Sequence, residues 1–330
     1  MSDPAGAYLQ TFLAPLTPWL DRPDVTDLLV NAPGEVWFET THGGMERAEA
    51  PELTSKTLLR LAQQIAAASH QGVSREHPLL SATLPDGARV QIVAPPATRD
   101  HLALAIRKHV IADLSLDTFE QAGTFAPTTR ADVSRAAPPD EELEALLRAG
   151  AVKAFLKRAV AIGKTILISG GTASGKTTFL NALLKETPPA QRIIAIEDTP
   201  EVALTRPNAV GLIAVKGALG EARVGLDDLM QAALRMRPDR LLVGEIRGAE
   251  AFTFLRAINT GHPGSMTTVH ADSPRGALEQ IAFMSMQAGV NLSRADVIDY
   301  ARETIDVIVQ LARVNGQRVV TQIAHGLNQF

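Results

Sequence analysis

One glycine-rich run between a predicted strand and a predicted helix constrains the fold more than any other part of this sequence. Residues 170–177 read GGTASGKT, which matches the pattern GxxxxGK[ST] at every fixed position. Residues 165–169 are apolar and partly β-branched, and residues 178–185 carry large apolar side chains at helical spacing. In such a strand, loop and helix, backbone N–H groups and the positive helix end surround a phosphate. The run therefore predicts a phosphate-binding loop in an α/β fold.

The same pattern assigns chemical roles within the loop. Lys176 is predicted to reach the β- and γ-phosphates of a nucleoside triphosphate. The Thr177 hydroxyl is predicted to bind Mg²⁺, because this hard cation prefers oxygen ligands and takes few of them from protein. The predicted nucleotide-binding residues are Gly170, Gly171, Thr172, Ala173, Ser174, Gly175, Lys176, Thr177 and Thr178.

The composition limits the remaining functional classes. The chain has 330 residues, no cysteine and a formal net charge of −4, and it contains no block of like charge. Without cysteine there are no disulfides, thiol nucleophiles or cysteine-ligated zinc sites. The near-neutral charge does not favour binding of nucleic acid through a broad basic face. Because no stretch approaches the roughly 20 apolar residues that span a bilayer, we expect a soluble protein, and the lack of cysteine fits a reducing cytoplasm.

An antiparallel α+β domain is predicted over residues 1–122. Turn residues such as Pro33-Gly34 separate short runs of alternating apolar residues, which is typical of hairpins. Thr54 is a predicted helix cap. The predicted elements are hairpin strands at 27–31 and 36–40, a helix at 55–68, hairpin strands at 79–84 and 88–93, and a strand at 102–107.

A second domain is predicted over residues 141–330, after a linker at 123–140 that is rich in proline, threonine and serine. From Glu141 onward, helical and strand-like patterns alternate, which indicates a mostly parallel sheet covered by helices. The chain ends in a predicted hairpin around Asn315-Gly316, a dipeptide that favours tight turns.

Polar residues end other predicted strands of this second domain. Glu197 and Asp198 follow one apolar run, and Glu245 follows another. Because carboxyl ends of parallel strands share one sheet edge, we expect these carboxylates near the phosphate loop. Phosphoryl transfer requires groups there that support a metal and orient water. His270 ends a third run, and its residue type alone leaves phosphate sensing, proton transfer and a structural role open.

Several segments together resemble the secretion-traffic ATPases, the superfamily of type II secretion, type IV secretion and type IV pilus ATPases. Residues 193–202, 234–251 and 261–274 resemble its aspartate box, Walker B motif and histidine box. The N-terminal segments NAPGEVWFE, SREHPLLSATLPDGARVQIVAPPA and LALAIRKH, at 31–39, 74–97 and 102–109, resemble the N-terminal domain of type IV secretion and conjugation ATPases. Absence of a cysteine-ligated zinc module and of an AIRxxIRE segment favours that group.

The resemblance implies a RecA-like ATPase domain, hydrolysis of ATP with Mg²⁺ and a homohexameric ring. In this family Glu197 corresponds to the base that activates water, and His270 to a residue that contacts the γ-phosphate. Glu245 corresponds to a residue that supports Mg²⁺ and the water network. Gly244 stands where an aspartate often precedes that glutamate, so Glu245 is expected to act on the metal through water.

The resemblance also implies that arginines of the N-terminal domain reach phosphates bound between the two domains. Arg89 and Arg107 match those arginines, and Arg99 is a third candidate. An arginine brought to a γ-phosphate is worth about 10³ to 10⁵ in rate. The alternative is that these arginines pair with surface carboxylates.

The leading hypothesis is an ATPase that drives a type IV secretion or conjugation machine. Its expected partners are further copies of itself and inner-membrane components of that machine, with peripheral association at the inner face of the membrane. One alternative is a DNA-translocating ring motor, in which Arg235, Arg237, Arg240 and Arg247 would form a local basic surface. The other is a regulatory module in which ATP holds a conformation without useful turnover.

Overall fold

Two sheets, one in each half of the chain, organise the fold. The computed structural model describes residues 4–41, 43–108, 115–121, 123–128, 140–215 and 220–327. The first sheet has six strands, all paired antiparallel, and the second has seven. The predicted fold class, an α+β N-terminal part followed by an α/β part, is confirmed.

The N-terminal part carries its strands in the order β3-β2-β1-β6-β5-β4. Its elements are α1 Pro4–Leu13, a 3₁₀ turn Ala14–Leu16, α2 Thr17–Leu20, β1 Val25–Val30, β2 Gly34–Thr40, β3 Met45–Ala50, α3 Ser55–Ala68, β4 Leu79–Thr83, β5 Arg89–Val93 and β6 Ala103–Arg107. Both predicted hairpins and the predicted helix are present. The backbone N–H of Thr57 donates to Thr54 Oγ1 over 3.1 Å, which caps α3 as expected.

Several elements of this part were not predicted, among them β3 and α1. Strand β3 reads MERAEA and has only its last residue fully buried, so it lacks the apolar alternation by which a strand is recognised. Helix α1 packs on α3 and places Leu9 in the core beside residues such as Leu58 and Ile65. Its glycine and flanking prolines conceal the helical pattern.

The C-terminal part has the strand order β13-β12-β7-β11-β10-β8-β9. After α4 Leu116–Gln121, its elements are α5 Glu141–Arg148, α6 Val152–Ala161, β7 Ile166–Gly170, α7 Lys176–Leu184, β8 Ile193–Glu197, β9 Ala209–Ile213, α8 Leu226–Ala233, β10 Arg240–Val243, α9 Glu250–Asn259, β11 Met266–Val269, α10 Pro274–Gln287, α11 Arg294–Thr304, β12 Val307–Val314 and β13 Gln317–His325. All pairs in this sheet are parallel except β12–β13. The helix after the loop begins at Lys176, earlier than expected.

Most of the predicted linker falls outside the structural description. Residues 129–139 of the stretch 123–140 are not among the described residues, so the domain bounds stay a prediction. The following helix α5 begins after Asp140, whose Oδ1 accepts from the backbone N–H of Glu142 over 3.2 Å. Among the described residues, none of the helices combines the length and the apolar character needed to cross a bilayer.

A short N-terminal segment extends the second sheet at its β9 edge. Thr98 forms an antiparallel bridge with Leu212. The backbone N–H of Arg99 donates to Gly211 O over 3.0 Å, and the N–H of Ile213 donates to Ala97 O over 2.9 Å. This pairing holds the N-terminal part against the carboxyl end of the parallel sheet and directs the side chain of Arg99 toward it.

Candidate functional site

The glycine-rich loop connects β7 to α7 at the carboxyl edge of the second sheet. Its curvature depends on left-handed backbone at Ala173, with φ of 62°, and at Gly175, with φ of 90°. A Cβ at Gly170 would overlap Ser174 Oγ and lie 2.9 Å from the carbonyl oxygen of Leu311. Glycine is therefore required at position 170 for the loop to pack against β12.

Lys176 closes the loop from the first turn of α7. Its Nζ donates to the carbonyl oxygens of Gly170 and Gly171, over 3.0 and 3.3 Å, and lies 3.3 Å from His270 Nδ1. Burial lowers the pKa of Lys176 from its ordinary value, and the charge of Glu245 opposes this shift. An anion such as phosphate, bound at the same ammonium, would further favour its charged form.

A line of side-chain contacts, named the contact line, runs from Lys176 through His270 to Glu245. His270 Nε2 lies 2.6 Å from Glu245 Oε1, and Arg247 Nη2 donates to Glu245 Oε2 over 2.6 Å. The guanidinium of Arg247 is exposed, and its hydrogen bond to Glu245 raises its pKa. The structure thus brings together three predicted site residues from α7 and from the ends of β10 and β11.

Glu197, at the end of β8, has a different environment. Its Oε1 accepts from the backbone N–H groups of Glu201 and Val202, over 2.9 and 2.8 Å. Its Oε2 is ion-paired with the guanidinium of Arg99 from the N-terminal part. The Glu197 side chain is only 1% exposed, so both carboxylate oxygens are engaged away from solvent.

A small cavity of about 70 Å³ separates the loop threonine from the carboxylates. It is lined by Thr177, Glu197, Asp198, Thr199, Glu201, Gly244, Glu245 and Arg247. The described residues contain no group of three or more His, Cys, Asp or Glu side chains poised to hold a metal. The Thr177 hydroxyl beside the cavity fits an Mg²⁺ ion whose other ligands are phosphate and water, since this ion is seldom held by protein ligands alone.

Comparison with known proteins identifies the family to which this geometry belongs. Residues 10–326 match the family model described as Type II/IV secretion system protein. The chain belongs to this family. It is therefore a secretion ATPase, as the sequence motifs predicted.

Similar proteins cover almost the whole chain. The type IV secretion system protein VirB11 of Bartonella henselae is 38% identical, over 98% of this chain and 94% of the relative. The type IV secretion system protein PtlH of Bordetella pertussis is 39% identical, over 94% and 92%. The crystal structure of the VirB11 ATPase from the Brucella suis type IV secretion system, in complex with sulphate, has a TM-score of 0.90 and 35% identity, covering 98% of this chain and 99% of that one.

The structure places Arg89 and Arg107 at a different surface of this ATPase. They face each other across β5 and β6, and Arg107 Nε donates to Asp27 Oδ1 over 2.8 Å. Both line a cavity with Leu234 and Arg235, rather than the small cavity beside Thr177. Their contact with phosphate stays a prediction, whereas Arg99, the third candidate, is the arginine that contacts Glu197.

Two of the four arginines considered for a DNA-binding surface have other roles in the structure, whereas Arg235 and Arg247 are exposed. Arg240 is fully buried, and its Nε and Nη2 donate to Gln191 Oε1 and Val160 O, both over 2.7 Å. Burial lowers the pKa of Arg240 to about 10. Arg237 is ion-paired with Glu39 of the N-terminal part. Arg237 and Arg240 therefore stabilise the fold and the contact between its two parts, and DNA binding stays an alternative hypothesis.

Proposed function

We propose that the chain hydrolyses ATP to ADP and phosphate at this loop and that the released free energy drives a type IV secretion machine. The observation that carries this proposal is the contact line from Lys176 through His270 to Glu245, beside the Thr177 hydroxyl. Family membership and relatives named as type IV secretion proteins support it.

Each residue of the line has a separate task in this proposal. Lys176 binds the β- and γ-phosphates, and the backbone N–H groups of the loop bind the remaining phosphate oxygens. His270 contacts the γ-phosphate, where its contact with Glu245 orients the ring. Glu245 orients water. Bound Mg²⁺, held by Thr177, would neutralise charge that develops on the phosphates.

Glu197 activates water in this scheme only after its bond to Arg99 is broken. A general base needs a free lone pair within hydrogen-bond reach of the proton that it accepts. In the structure, two backbone N–H groups and one guanidinium occupy the Glu197 carboxylate. Movement of the N-terminal part, which carries Arg99, would therefore control when Glu197 becomes available.

We further propose that six copies form a ring that acts peripherally at the cytoplasmic face of the inner membrane, with inner-membrane components of the secretion system as partners. In that ring, Arg89 and Arg107 approach phosphates as the two parts close. Both arginines are exposed, which leaves them accessible to ligands or to a neighbouring copy. Light scattering of the purified protein without nucleotide, with ADP and with ATP tests the ring; a monomer in all three conditions would contradict it.

Steady-state phosphate release tests the catalytic proposal. Lys176→Ala is expected to abolish turnover, because no other side chain of the loop offers a cation to the phosphates. Lys185→Ala is the matched control, since Lys185 follows the same helix and is exposed; it should retain wild-type turnover. Normal turnover in Lys176→Ala would show that the loop takes no part in hydrolysis. ATP binding without phosphate release by the wild-type protein would instead indicate a regulatory module.

A further inference from the structure

The C-terminal hairpin places an arginine directly over the phosphate-binding loop. Strand β12 pairs with β7 so that Leu311 lies opposite Gly170, and β13 returns beside β12 with Arg318 opposite Arg313. An ideal Cβ on Gly175 would lie 2.8 Å from Arg318 Cδ and 3.3 Å from its Nε. The arginine side chain therefore covers the last glycine of the loop.

This arginine has an unneutralised charge. Its side chain is exposed, and within the described part of the chain it forms neither a hydrogen bond nor an ion pair. The hairpin sequence from residue 307 to 325 contains no acidic residue, and the loop with its helix from 170 to 185 contains none either. The guanidinium of Arg318 is thus available to a ligand bound at the loop.

The sheet order limits the directions in which a nucleotide could lie across the loop. Strand β7 has β11 on one side and β12 on the other. His270 and Glu245, which follow β11 and β10, mark the side of the γ-phosphate. A nucleotide whose γ-phosphate faced them would extend its other end across the loop, toward the hairpin that carries Arg318.

We propose that Arg318 binds the nucleoside part of the nucleotide, that is, its ribose and base. The inference rests on the proposed ATPase function and adds a binding residue from the C-terminal hairpin. The guanidinium suits this part of the ligand, because its planar face stacks on an aromatic base and its N–H groups donate hydrogen bonds to ribose oxygens.

Calorimetric titration with ATP, with ADP and with inorganic tripolyphosphate, each with Mg²⁺, tests the proposal. Arg318→Ala is expected to weaken ATP and ADP binding about tenfold, within the range of a lost charge-assisted contact. Tripolyphosphate affinity should stay within about twofold, because this probe lacks the nucleoside part. In kinetics, KM for ATP should rise while kcat at saturating ATP stays within about twofold.

Two further variants separate a specific contact from the general charge of the hairpin. Arg313→Ala removes the same charge from the facing strand and is expected to keep wild-type ADP affinity. Arg318→Lys keeps the charge without the planar fork and should recover only part of the affinity. Unchanged ADP affinity in a folded Arg318→Ala protein would overturn the proposal, as would equal weakening by Arg313→Ala or equal loss of tripolyphosphate binding. If the wild-type protein binds no ATP, the proposed function itself fails.

Discussion

Glu197 and Glu245 occupy equivalent places in the sheet but have opposite environments. Glu197 is the last residue of β8, and Glu245 follows the end of β10, which pairs with β8 in parallel. The Glu197 side chain is 1% exposed and is bound by two backbone N–H groups and by Arg99. The Glu245 side chain is 18% exposed and contacts His270 and Arg247.

The two arginine partners explain this difference. Arg99 comes from the N-terminal part and has only 18% of its side chain exposed, whereas Arg247 is a local neighbour with 62% exposed. An exposed pair contributes little to stability, whereas a buried pair is costly to break. Glu245 is therefore connected mainly to the phosphate loop, through His270, whereas the ion pair of Glu197 depends on where the N-terminal part places Arg99.

The largest expected effect is on turnover in Glu245→Gln. Loss of its charge removes the partner that orients His270 and the group that orients water, so kcat should fall about 10² to 10³-fold. The thermal midpoint should change little, because the partners of Glu245 are partly exposed. Phosphate release and differential scanning calorimetry measure both quantities. Wild-type kcat in this variant would exclude Glu245 from the chemistry.

Glu197→Gln should lower both turnover and stability. The amide oxygen still accepts from the N–H groups of Glu201 and Val202, but the amide nitrogen faces the Arg99 guanidinium, donor against donor. Breaking one side of a buried pair costs about 3 kcal/mol, so the thermal midpoint should fall by several degrees. We expect kcat to fall about tenfold or more, with ATP still bound in equilibrium titration. An unchanged thermal midpoint would show that the Arg99 bond contributes nothing to stability.

Local patterns predicted most of the fold. Helix α3 has its cap at Thr54 and a strong apolar periodicity, and both N-terminal hairpins carry turn residues with the required backbone preference. The phosphate loop was predicted with its residues because its glycines and Lys176 lie in one short segment. In contrast, β9 was missed, since AVGLI is short and Gly211 lowers its strand preference.

The site was only partly predictable because its decisive contacts join distant segments. The carboxyl ends of β8, β10 and β11 meet at one edge in any such parallel sheet, so proximity of Glu245 and His270 to the loop followed from their positions. The pairing of Arg99 with Glu197 depends on the bridge between residues 97–99 and β9, which no local pattern encodes. The position of Arg318 over Gly175 likewise follows from the register of β12 on β7.

Gly211→Ala is expected to separate the ion pair of Glu197 with Arg99 from the role of Glu197 in activating water. The substitution keeps the charges of both residues, and its expected effect is the smallest. A Cβ at Gly211 would overlap the Arg99 side chain, with Arg99 Cγ at 2.8 Å, so Arg99 must move away from Glu197. Overpacking of this kind costs about 1 to 3 kcal/mol, and the thermal midpoint should fall less than in Glu197→Gln. Because Glu197 keeps its carboxylate and gains a free oxygen, kcat should stay within about threefold of wild type.

Gly72→Ala is the matched control, since a Cβ at Gly72 meets no atom within 4 Å. This control should keep the wild-type midpoint and kcat, which isolates the Arg99 contact as the cause of any change at Gly211. If kcat in Gly211→Ala falls as far as in Glu197→Gln, the Arg99 bond is part of the competent site and its release does not make Glu197 available. If stability falls while kcat is kept, Arg99 connects the N-terminal part to the sheet without contributing to the chemical step.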